Sequence, residues 1–168
     1  SFANFRLEVA DACRVLNRVF SNDIDVNDCR IFYTQWLNER GGIESHQTVT
    51  RLCRDSLLNE GCAETDVRDF HWLKQHIPAD AHCVLTNVSS GMGVISLMGP
   101  NARDLLQSLT PEDMSHQAFP FGHSREIELA YALVRASRIT YVGELGWELY
   151  APTEFMLGVY DEIVAAGN

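Results

Sequence analysis

Five apolar positions of the N-terminal half recur 90 residues later in the chain. Phe5, Leu7, Ala12, Leu16 and Val19 correspond to Ile95, Leu97, Ala102, Leu106 and Leu109. In both copies, alternation gives way to helical spacing, so each predicts a strand, a cap and a helix in the same order. Two copies of one supersecondary unit account for most of a 168-residue chain. The expected fold class is α+β: two βαββ-type units with antiparallel sheets flanked by helices. Residues 1–90 would form the first unit and 91–168 the second.

Residues 5–9 alternate apolar and polar, and Asp11 opens the first helix. Two β-rich runs, 30–38 and 43–53, flank the turn Glu39-Arg40-Gly41-Gly42, and a short strand is predicted at 56–58. A helix capped by Asp66 carries Val67, Phe70, Leu73 and Ile77 on one face and stops at Pro78. Residues 83–88 and 92–97 read as strands around Ser89-Ser90-Gly91. A helix at 102–109, one strand at 127–136 and a helix from 153 to 166 complete the pattern. The second unit ends on a helix where a split unit would return a further strand, and truncation is the expected cause.

Between the last strand and the last helix lies RITYVGELGWELY, residues 138–150. Gly143 and Gly146 bracket Glu144 between β-rich, aromatic flanks, which predicts a hairpin with one carboxylate at its bend. A carboxylate held between strands suits ligand binding.

Composition excludes several classes. The chain is 46% hydrophobic and 21% charged with net charge −10, an acidic globular sequence without the clustered Lys and Arg that nucleic acid requires. No apolar run approaches the roughly 20 residues of a membrane span, and residues 1–9 lack the basic region and following apolar stretch of a signal peptide, so none is expected. Five cysteines (13, 29, 53, 62 and 83) contain no CxxC pair, so no zinc or dithiol site is expected. They read as reduced thiols of a cytoplasmic protein. Dinucleotide, Walker, HExxH and GxSxG signatures are absent. His71 and His76 stand five apart and share no helix face, while His46 lies in the first hairpin with Glu44 two residues before it. No metal ligands are assigned.

Six segments in order carry a resemblance: YTQWLNERGGIES (33–45), TVTRL (48–52), DFHWLKQHIP (69–78), HCVLTNVSSGMGVISLMGPNARDLLQSL (82–109), AFPFG (118–122) and RITYVGELGWELY (138–150). Together they resemble the folate-binding, aminomethyltransferase-like region of the sarcosine and dimethylglycine dehydrogenase family. That region is similar to the T-protein of the glycine cleavage system. The implied fold is that of the N-terminal lobes of T-protein, and the implied cofactor is tetrahydrofolate. FAD would belong to a separate domain that oxidises the N-methyl amine. Implied partners are folate and a flavin-dependent dehydrogenase domain or subunit. Apart from the resemblance, an unpaired sheet edge at the C-terminus would favour self-association, so a homodimer is a further candidate. By the resemblance Glu144 would hydrogen-bond the pterin, Tyr33 would line the folate pocket, and His46 would take the catalytic position. Members usually carry aspartate there, so histidine is a departure that would impair one-carbon transfer. Asn59-Glu60-Gly61-Cys62 departs as well, being polar where an apolar strand is usual, and would weaken the local sheet. The alternatives are a degenerate, non-enzymatic copy acting through binding or oligomerisation, and an unrelated small-molecule binding domain.

Overall fold

A computed structural model describes residues 2–167. The chain divides into two compact units, 1–89 and 90–168. In the first, the order is β1 (Phe2–Glu8), α1 (Ala12–Asn17), β2 (Ile31–Leu37), β3 (Ile43–Cys53), β4 (Ser56–Cys62), α2 (Asp66–Gln75) and β5 (Val84–Asn87). In the second it is β6 (Met92–Met98), α3 (Ala102–Leu109), β7 (Ser124–Leu129), β8 (Ala132–Ser137), β9 (Gly146–Pro152) and α4 (Met156–Gly167). The sheet orders are β2-β3-β4-β1-β5 and β6-β9-β8-β7, and every pairing is antiparallel. The repeated apolar pattern thus marks a repeated topology. β6 corresponds to β1, α3 to α1, and β7, β8 and β9 to β2, β3 and β4.

Each unit closes its own core by laying helices on one sheet face. Phe5, Leu7, Leu57, Val49 and Trp36 meet Leu16 and Leu73 in the first. Ile127, Val134, Trp147 and Leu149 meet Leu106, Val159 and Ile163 in the second. Alternation supplies these faces because successive strand residues point to opposite sides. Trp36 is fully buried, and its ring stacks on Trp72 at 4.7 Å.

Several elements differ from the sequence expectation. The run at 127–136 is not one strand but the hairpin β7–β8, turning at Ala130 and Tyr131 with φ of 51° and 61°. Two-residue turns of this kind are usually marked by Asn-Gly, and neither residue is present, so the turn carried no signal. The segment 138–150 does not bend tightly at Glu144. Strand β9 begins at Gly146 and pairs with β8, so 138–145 is a long irregular connection between them. Strand β4 does not stop at Leu58 but runs to Cys62, with every residue before Cys62 buried. Its polar residues are accommodated within the strand, where Asn59 Nδ2 donates to Gln47 Oε1 at 2.8 Å in the core. Asp66 does not cap α2: Thr65 precedes the helix, and Asp66 lies in its first turn, accepting from Asn87 Nδ2 at 2.9 Å.

Candidate functional site

Tyr33 and His46 are brought together by strand pairing. β2 and β3 align Tyr33 with Thr48 and Gln35 with His46, so the two rings are diagonal neighbours on the face opposite the helices. The rings stack with centroids 5.9 Å apart and planes 6° from parallel. Tyr33 Oη and His46 Nδ1 are 2.9 Å apart. Which partner donates follows the imidazole tautomer. When Nδ1–H donates to the phenol oxygen, Nε2 keeps a lone pair that can take a proton. Tyr33 is 62% exposed, so an aromatic surface remains free for a flat ligand.

The backbone that carries His46 is pinned from the other side of the sheet. Its neighbours Ser45 and Gln47 point toward α2, where the buried carboxylate of Asp69 receives them. Ser45 Oγ donates to Asp69 Oδ2 at 2.9 Å and Gln47 Nε2 donates at 3.2 Å. Thr65 Oγ1 adds a third bond to this oxygen at 2.8 Å, and Arg68 covers Oδ1 through Nε and Nη2 at 2.9 and 2.8 Å. A carboxylate this well satisfied fixes geometry, since losing one partner would strand buried polar groups. The motif DFHWLKQHIP contains Asp69, but its role could not be inferred without knowing that α2 packs over β3.

Glu144 belongs to the second unit. It is exposed and follows Gly143 at φ 83°, in the same loop as Tyr141, which is 89% exposed. Both ends of this loop are held. At the start, the buried Arg138 donates through Nη1 to the Phe119 carbonyl at 2.6 Å and to His116 Nδ1 at 2.9 Å. Burial pushes the Arg138 guanidinium below its ordinary value, with Arg103 acting in the same direction. At the end, Gly146 lies where a Cβ would meet the Leu97 carbonyl oxygen at 2.6 Å. The carboxylate therefore sits on a loop tied at two points rather than at a tight hairpin bend. Arg138 was missed in the sequence, because nothing in a strand-like run marks a buried cation.

Two clefts of about 520 and 540 Å³ contain none of these three residues. The first is lined by Arg14, Arg18, Arg51 and Arg54, but Arg51 is already neutralised by Asp25 at 2.8 Å and Asp28 at 3.4 Å, and Arg14 by Asp11 at 3.1 Å. Among the described residues, no group of three or more His, Cys, Asp and Glu is placed to hold a metal. No helix among them is long and apolar enough to cross a membrane.

The paired antiparallel units have the fold of an aminomethyltransferase. The solved glycine cleavage system aminomethyltransferase T from Bartonella henselae superposes with a TM-score of 0.84 at 20% identity, over 97% of this chain and 43% of that one. Residues 1–168 match the family described as GCVT N-terminal domain, and the chain belongs to that family. It is 36% identical over 182 residues to the mitochondrial sarcosine dehydrogenase of Mus musculus, covering 99% of this chain and 20% of that protein. It is also 32% identical over 171 residues to the mitochondrial pyruvate dehydrogenase phosphatase regulatory subunit of Mus musculus, covering 100% of this chain and 20% of that protein. The chain spans about a fifth of the length of these relatives. It is an aminomethyltransferase-like domain related to the sarcosine and dimethylglycine dehydrogenases.

Proposed function

We propose that this domain binds tetrahydrofolate and transfers a one-carbon unit derived from an N-methyl amine. The observation that carries this reading is the Tyr33–His46 pair: an exposed aromatic ring beside a proton-accepting imidazole on a rigid sheet face. Tetrahydrofolate, when bound, supplies two amine nitrogens that accept the carbon. Tyr33 would pack against its flat ring, and Glu144 would accept N–H bonds from the aminopyrimidine edge of the pterin, which a carboxylate can do in pairs. His46 would take the proton released on transfer, and the Asp69 network would hold it in place. The amine would be oxidised elsewhere, by a flavin-dependent domain or subunit, which is the partner we propose. Five free cysteines support a thiol-reducing compartment, for which we propose the cytoplasm.

A calorimetric titration of the purified chain with 5-formyltetrahydrofolate in reducing buffer tests the reading. Saturable binding at micromolar strength is expected, and no binding by a folded chain would defeat it. A second reading is a non-enzymatic module, favoured by one relative named for a regulatory role and by histidine at position 46. It predicts no folate binding together with a homodimer on size exclusion.

A further inference from the structure

Arg138 is a buried cation with no counter-charge beside it. It is 8% exposed, and among the described residues neither Arg138 nor Arg103 forms an ion pair. The charge that perturbs Arg138 is that of Arg103, a second cation. Both guanidiniums flank one indole: Arg103 Cζ lies 5.6 Å and Arg138 Cζ 5.7 Å from the centre of the fully buried Trp147 ring. The ring attracts both but supplies no negative charge, and arginine stays protonated even when buried. Arg125 nearby is different, since Glu112 lies 3.8 Å from it.

The donors of Arg138 are only partly used. Nη1 serves the Phe119 carbonyl and His116 Nδ1, as described above. A guanidinium can only donate, so His116 Nδ1 is the acceptor and the imidazole proton sits on Nε2. Arg138 Nε is buried without a partner, and Nη2 makes no hydrogen bond among the described residues. Nε and Nη2 form one edge of the guanidinium, the fork that takes two oxygens of a carboxylate or phosphate. The Trp147 indole N–H is buried and unpartnered as well. Arg103 spends Nη1 on the Met114 carbonyl at 3.1 Å. A buried charge without a counter-charge is costly, as are buried N–H groups without acceptors; one oxyanion supplies both. His116 is exposed and Arg103 half-buried, so the cluster reaches solvent on that side.

We propose that Arg103, Arg138 and Trp147 form a binding site for a small oxyanion, a carboxylate or phosphate group, at the root of the loop that carries Glu144. Two oxygens take the Nε–Nη2 edge of Arg138, and Arg103 adds a second positive charge. No covalent bond forms or breaks. The site lies within residues 90–168 and does not depend on the folate reading. Because Arg138 begins the 138–145 connection, an occupied site steadies the loop on which Glu144 stands.

The test is calorimetric titration of the chain with sodium formate, sodium phosphate and sodium chloride at neutral pH and constant ionic strength. At least one oxyanion is expected to bind saturably, about tenfold or more tighter than chloride. Formate alone assigns the site to a carboxylate, phosphate alone to a phosphate, and either upholds it. Oxyanion binding no tighter than chloride overturns it, the buried N–H groups then being met by water. Arg103→Gln should melt with wild type and weaken the oxyanion by about tenfold; unchanged affinity overturns the two-arginine site. Arg138→Lys keeps the charge without the fork and should lose the preference over chloride, and a retained preference overturns the proposed edge. Should that variant unfold, hydrogen exchange of wild type decides: bound oxyanion should slow amides in 114–119 and 138–140, and slowing only elsewhere overturns the assignment.

Discussion

Glu144 and Tyr33 stand on the surface, and exposure sets how much each can contribute. Glu144 resides in a loop with exposed neighbours, so its substitution should leave the fold intact. Glu144→Ala is expected to weaken 5-formyltetrahydrofolate binding by about 1.5–3 kcal/mol, the usual worth of a hydrogen bond to a charged group. An unchanged dissociation constant would remove Glu144 from the site. The cysteines separate by environment. Burial pushes the Cys13 and Cys83 thiols up, whereas Cys53 and Cys62 are exposed. A raised folded-state value favours the neutral thiol, so its stabilising effect is complete at neutral pH and lost as pH rises through that value. At pH 7.5, a thiol reagent followed by peptide mass mapping should find Cys53 and Cys62 modified before Cys13 and Cys83. Equal rates would contradict this environment. Tyr33 and His46 were readable as strand residues from alternation, but their contact was not, since it depends on how β2 pairs with β3.

Strands and turns show where local chemistry and packing disagree. Gly146 opens β9 against the backbone of Leu97 and Met98, with no room for a side chain. Gly146→Ala should therefore cost about 1–3 kcal/mol in urea unfolding, as overpacking does. A smaller change would mean that β6 yields. The β7–β8 turn has the opposite character: Ala130 and Tyr131 both adopt positive φ although neither favours it. Replacing the pair with Asn-Gly should raise stability by about 1 kcal/mol or more, because such strain costs roughly 1–3 kcal/mol per residue. A lowered urea midpoint would show that Tyr131 contributes something beyond the turn. Helix positions were legible because α1 and α3 carry clean apolar spacing, and the 102–109 expectation coincides with α3. The β7–β8 turn was not, because the turn lacks the residues that announce turns.

At the scale of the molecule, each unit has its own buried cluster and its own complete sheet. A unit with its own core can fold alone. Residues 90–168 expressed separately are expected to melt cooperatively with near-native far-UV dichroism; a chain that stays unfolded would mean that its core needs residues 1–89. Apolar periodicity in the sequence determined that there are two related units, where their helices fall, and which side of each strand faces inward. Those properties are local, because side-chain direction repeats every 2 or 3.6 residues regardless of the rest of the chain. Register and pairing came only with the tertiary structure. Asp69 receives Ser45 and Gln47 across 24 and 22 residues of sequence, and His46 meets Tyr33 through the pairing of β2 with β3. Alternation says which face a residue takes but not which residue lies beside it; that was settled by packing, which gives the Asp69 carboxylate its Ser45, Gln47 and Thr65 donors in one alignment and strands them in the next.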